Sequence, residues 1–152
     1  MQTAALQAER TFITALEIRL SDGPIPGPVP QVTIQAQTGL ADLEEPNRWR
    51  ADLGIVVRPA DENRPLPYEI AITVSGVFRV VAEMETEKAR KLAFVNGMSI
   101  LYSSARETVL LLTGRFPAGP FVLPTLSFVD EYDRLAPVKV AETPAPYGKK
   151  KK

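Results

Sequence analysis

A chain of 152 residues with 45% hydrophobic content can enclose one core and not two, so a single α+β domain with a tail is expected. Lysine plus arginine and aspartate plus glutamate both total 18, which removes any global electrostatic case for nucleic acid or an anionic membrane as partner. Cysteine and histidine are both absent; with them go disulfides, Ser-His and Cys-His nucleophiles and the commonest zinc ligands, so no catalytic residue, metal site or cofactor is expected, and a reducing cytoplasmic setting fits.

From Phe12 to Leu20 the even positions Phe12, Thr14, Leu16, Ile18 and Leu20 alternate with Glu17 and Arg19, the period of a first strand with one apolar face. Ser21 to Pro30 (SDGPIPGPVP) is a proline-rich loop, because proline fixes φ and removes the donor a ladder needs. A second strand runs from about Gln31 to Thr38, with Val32, Ile34 and Ala36 on one face. A turn at Glu44 to Asn47 leads to a third, whose inner face carries Trp49, Ala51, Leu53, Ile55 and Val57. Pro59 to Pro67 breaks the chain again, and Tyr68, Ile70, Ile72, Val74, Gly76, Phe78 and Val80 give the longest alternation. Short connections between four strands predict an antiparallel meander. Gly76 inside the fourth strand suggests a bulge or a close backbone approach.

Thr86 is a fitting N-cap for a short helix that stops at Asn96-Gly97. A longer helix follows from about Ser99 to Thr113, with Gly114 as a left-handed C-terminal residue. Arg106 and Glu107 interrupt its apolar run, and the first nine residues lack a basic region followed by an apolar stretch. Neither a membrane span nor an export signal is expected. Leu101, Ala105, Thr108 and Leu112 face one way, while Ile100, Val109, Leu110 and Leu111 carry apolar surface around the circumference. One sheet covers only one side of a helix, so an obligate oligomer is expected. A last short helix spans about Val129 to Leu135, and residues 136–152, rich in proline and ending in Lys149 to Lys152, are expected to be disordered.

Other groupings point to no chemistry. Arg106 and Glu107 diverge by about 100° on a helix and cannot address one atom. Glu83, Glu85 and Glu87 stand where a helix N-terminus attracts acids in any case. Asp61 and Glu62, in a strand-connecting loop, have no spacing that marks a partner site.

The stretch Asn96 to Phe128, NGMSILYSSARETVLLLTGRFPAGPFVLPTLSF, resembles the SecB family of export chaperones and SecB-like proteins. The match lies in order and spacing: an Asn before Leu101-Tyr102, then Ala105-Arg106-Glu107, Thr113-Gly114, Phe116-Pro117, Leu123-Pro124 and Ser127-Phe128. Val74-Ser75-Gly76-Val77-Phe78 is similar to the end of that family's fourth strand. The resemblance implies a chaperone domain over residues 1–135: a four-stranded antiparallel sheet, a long helix and a short C-terminal helix, assembled as a tetramer of paired dimers without catalysis. Leu101, Tyr102, Ala105, Arg106, Val109 and Leu112 are then the subunit-interface positions. The family holds unfolded clients in apolar grooves bordered by the interhelix loop, the crossover between strands one and two, and the last helix. The matching positions are Phe116, Phe121, Val122 and Leu123, with Ile25, Val29 and Tyr132 by position alone. Its partners would be unfolded polypeptides, a translocase motor or a dedicated client such as an antitoxin. That family is distinctly acidic and engages the motor through acidic surface positions and a mobile tail; the terminal lysines here depart from that pattern, which puts the motor in doubt. The reading from a different class is a non-catalytic structural or assembly subunit, for instance a viral one, that binds one folded partner.

Overall fold

The computed structural model describes residues 2–22, 27–28 and 30–135. Strands β1 (Leu6–Leu20), β2 (Val32–Asp42), β3 (Arg48–Pro59) and β4 (Tyr68–Val80) precede helices α1 (Thr86–Thr113) and α2 (Val129–Arg134). Every neighbouring pair is antiparallel, in the order β1-β4-β3-β2. The expected meander therefore holds for β2 to β4, while β1 lies on the far side of β4. With that order β1 and β2 are three strand spacings apart, about 14 Å. That span suits a connection much longer than a hairpin loop.

β1 does not keep one parity along its length. Its register against β4 shifts between Ala8 and Arg10 and again between Ile13 and Ala15, so Glu9 and Thr14 are extra residues, and each bulge turns the preceding side chains to the opposite face. Leu16, Ile18 and Leu20 consequently share the helix side with Ile13, which pairs with Val74. Phe12, expected on that side, pairs with Ser75 on the other face, where the Arg10 guanidinium stands 5.0 Å from its ring. The first bulge has its own anchor. Glu9 accepts hydrogen bonds from Arg48 Nε at 2.8 Å and Arg79 Nε at 2.6 Å, and both arginines also reach Glu45. Its carboxyl lies below the usual carboxylate range, chiefly through the bond from Arg79.

Trp49, Leu53, Ile55 and Val57 of β3 and Ile70, Ile72, Val74 and Phe78 of β4 form the core with Ala93, Met98, Leu101, Ala105 and Val109 of α1. Trp49 satisfies its indole N–H on Asp42 Oδ1 at 2.6 Å. The helix is continuous over 28 residues, where a stop at Asn96-Gly97 was expected. Gly97 is buried, and a Cβ there would lie 3.3 Å from the Phe78 ring. It allows the helix to approach the sheet rather than ending it. Gly114 is right-handed, φ −59°, not left-handed. The backbone winds on through bonds from Arg115 N–H to Leu112 C=O and Phe116 N–H to Thr113 C=O, and after the helix positive φ is first reached at Gly119. Thr86 is the first helical residue, and Glu85 before it makes no side-chain cap.

Candidate functional site

After α1 the chain turns back and runs alongside the helix toward its N-terminus, tacked down by three tyrosines. Tyr68 of β4 donates to the carbonyl of Gly119, Tyr102 of α1 to that of Pro124, and Tyr132 of α2 to the Glu87 carboxylate. Thr113 Oγ1 accepts the Phe121 N–H at 2.8 Å. Burial raises the Tyr68 and Tyr102 hydroxyls above the ordinary phenol range. Each therefore stays a neutral donor at physiological pH, which a carbonyl partner requires.

This fixed return segment leaves a groove of about 530 Å³ between itself and the start of β2. Pro30, Val32 and Ala60 form one wall, and Pro120, Phe121, Val122 and Pro124 the other. Proline offers no N–H, so three of these residues present apolar surface with no donor left to satisfy. Hollows on the sheet's other face are lined instead by Glu17, Arg19, Arg58 and Glu62, or by Gln35, Gln37 and Thr73.

The groove opens onto the outer edge of β2, which among the described residues pairs with β3 alone. Ala60 N–H bonds the Gln31 carbonyl at 2.9 Å, and the register from Val32 to Asp42 runs without a shift. Antiparallel ladders alternate bonded and non-bonded pairs, so Val32, Ile34, Ala36, Thr38 and Leu40 point their backbone groups outward. Their side chains share the parity of Val57 and Ile55, the helix side of the sheet. An extended peptide at this edge would meet backbone donors and acceptors and apolar side chains together.

The site residues expected from the sequence separate into distinct places. Val122 is 56% exposed on the groove wall. Phe121, in the same wall, is only 3% exposed, its ring set edge-on to Tyr68 at 6.1 Å. Phe116 is half-buried, its ring tilted against that of Tyr68 at 5.9 Å. Leu123 is 0% exposed and belongs to the core. Tyr132, half-buried, stacks on Phe94 at 5.5 Å and holds α2 in place, well along α1 from the groove. Ile25 and Val29 lie outside the described residues. Pro30, Val32, Ala60, Pro120 and Pro124 were not expected from the sequence as binding-site residues. The clustering of prolines in both flanking loops was the available signal.

The positions expected at a subunit interface differ in exposure within the single chain. Leu101, Tyr102, Ala105 and Val109 are buried by the chain's own sheet and return segment. Arg106 and Leu112 are half-buried. At 100° per residue, Ile100, Ser104, Thr108 and Leu111 lie on the flank away from Tyr102 and Arg106. Ile100 and Leu111 are exposed there, as are Ile13, Leu16 and Leu20 on the helix side of β1. The return segment covers the β2 side of α1, and the β1 side stays bare. The excess apolar surface expected on the helix is present at Ile100, Leu110 and Leu111, whereas Val109 is buried.

Among the described residues no helix is long and apolar enough to cross a membrane, and no group of three or more His, Cys, Asp or Glu could hold a metal ion. No protein-family model and no curated protein matches the chain. Among solved structures it is similar to a SecB-like chaperone of Mycobacterium tuberculosis in complex with a peptide from the HigA1 antitoxin. That likeness has 19% identity and a TM-score of 0.57, and covers 81% of this chain and 91% of that one. A Streptococcus agalactiae protein of unknown function aligns at 12% identity and a TM-score of 0.45, covering 79% and 97%. The chain has a SecB-like fold: a four-stranded antiparallel sheet with a long and a short helix.

Proposed function

We propose that this protein is a holdase chaperone, which keeps unfolded polypeptide segments from aggregating without ATP or any catalytic step. The observation that carries the reading is the preformed groove at Val32, Phe121 and Val122, opening beside the outward backbone groups of β2. Apolar contact in the groove and main-chain hydrogen bonds along the edge select for unfoldedness rather than for a sequence. The structurally similar mycobacterial chaperone is bound to an antitoxin peptide, which supports a dedicated client of that kind ahead of general export.

The working form is a homo-oligomer assembled through the bare β1 side, with Ile13, Leu16 and Leu20 of each copy covered together with Ile100 and Leu111. That arrangement leaves the β2 grooves at the margins, free for clients, and a tetramer built from two such dimers is favoured. Cytoplasmic operation fits the cysteine-free sequence.

The test is suppression of light scattering from a chemically unfolded protein at stoichiometric amounts of chaperone and without nucleotide. Protection is expected for unrelated unfolded proteins. A protein that protects none of them, yet forms a complex with one folded partner, is an assembly subunit instead.

A further inference from the structure

The two edges of the sheet differ in what they offer another chain. β1 carries two register shifts and the charged residues Glu9, Arg10, Glu17 and Arg19, devices that keep an edge strand from pairing. β2, with the sequence VTIQAQTGLAD, has an unbroken register against β3 and a single charge, Asp42 at its end. That carboxylate is itself taken up, by the Trp49 indole N–H at 2.6 Å and by Arg90 at 3.0 Å. A smooth, uncharged edge is a ready template for an added strand.

Backbone geometry fixes what such a strand must look like. The bond from Ala60 N–H to the Gln31 carbonyl sets the alternation. The outward N–H and C=O groups therefore belong to Val32, Ile34, Ala36, Thr38 and Leu40, about 27 Å of edge. In an antiparallel pair, residues that exchange both bonds stand directly opposite, with their side chains on the same face. Client residues bonded to these positions thus carry their side chains on the helix side. There they meet Val32, Ile34 and Leu40, which pack against the core, and at one end the groove wall at Val122. The client residues between them fall on the other face, beside the exposed Thr33, Gln35 and Gln37. Polar and charged side chains keep their hydration there.

We infer that the client class of this site is a segment with strand periodicity, apolar at every second position, which docks on β2 as an added antiparallel strand. The inference rests on the holdase reading and narrows it: selection acts on the period of the apolar residues and not on their identity. Antiparallel pairing is the sense of every pair already in the sheet, and it is the more stable of the two senses per residue. A segment of the same composition with helical spacing would turn part of its apolar side chains away from Val32, Ile34 and Leu40 and into water.

The probe is a labelled synthetic peptide long enough to span Val32 to Leu40, with valine and leucine at alternate positions and serine and lysine between them. Against the full chain it is expected to bind about tenfold more tightly than the same residues reordered to helical spacing. Equal affinities overturn the inference. Methylating the backbone nitrogens of the valines and leucines should weaken binding about tenfold, whereas methylating those of the serines and lysines should change it little. The reverse pattern would mean parallel docking and overturns the inference, as does an equal effect of both sets. On the protein, Ala36→Pro removes one outward N–H without breaking a bond to β3. It should weaken the alternating peptide while leaving the urea midpoint near that of the parent. If it lowers the mass of the assembly instead, the edge belongs to a second copy and the inference falls. The aggregation assay separates the two ideas. Protection without preference for the alternating peptide leaves a holdase that does not add strands, and preference without protection removes the holdase reading alone.

Discussion

The ring of Phe78 lies over the bare backbone of Gly76, two residues earlier in β4, so that a Cβ on Gly76 would stand 2.7 Å from the ring's Cε2. The same ring lies 3.3 Å from where a Cβ on Gly97 would be. Two glycines, one on the sheet and one in the middle of α1, thus make room for a single fully buried aromatic. Gly76→Ala should lower stability by about 1–3 kcal/mol through overpacking, read as a shift in the urea midpoint. Gly76→Ala with Phe78→Leu should recover part of the loss. A variant melting like the parent would show that the ring is free to move aside.

Neighbouring residues of the return segment should behave oppositely. Val122→Asp places a charge on the exposed groove wall, so it should weaken binding of an unfolded client while changing stability by no more than about 0.5 kcal/mol. Leu123→Ala empties a core position and should cost about 2–5 kcal/mol. Client titration alongside denaturant melts checks both, and client affinity unmoved by Val122→Asp would place the binding site elsewhere.

Leu16→Asp with Leu111→Asp puts two charges on the bare β1 side, where Leu111 is 63% exposed and Leu16 41%. The folded chain should survive and its mass by light scattering should fall to a smaller species. An unchanged mass would remove this face from the assembly. Substituting the buried Leu101 or Val109 would not test the interface, because those changes attack the fold itself.

Burial, reinforced by the Glu87 carboxylate that accepts its hydrogen bond, pushes the Tyr132 hydroxyl up to about 12. Because the folded value lies above the ordinary phenol value near 10, the contribution of the neutral hydroxyl is complete below about pH 10. It is lost as pH rises from there through 12. Docking of α2 on Phe94 and Lys91 should loosen over that window, followed through tyrosinate absorbance and Phe94 exposure. Tyr132→Phe should keep the ring contact and lose the alkaline step. An alkaline transition of equal size in the variant would assign it to Tyr68 or Tyr102.

Periodicity alone located the inner face of β3, the face of β4 and the close approach at Gly76, because each side chain in an unbroken strand reports the parity of the next. The same logic misplaced Phe12. The extra residue at Thr14 is silent in the sequence, and a one-residue slip turns the earlier side chains over. The surplus of apolar surface on α1 was legible for a similar reason, since a 28-residue helix with leucines on several sides cannot be covered by one sheet.

Which leucines were surplus was decided only in three dimensions. The return segment settles against the Tyr102 and Thr113 flank through hydrogen bonds to Gly119, Pro124 and Phe121, burying Leu101 and Val109 and exposing Leu111. The path of β1 was equally undetermined, because a proline-rich connection states that the chain leaves a strand and not which strand it meets next. Local pattern fixes what each element must hide, and long-range packing chooses what hides it. The groove at Val32 and Val122 exists because residues far apart in sequence meet at one corner of the sheet, and no window of the sequence contains both walls.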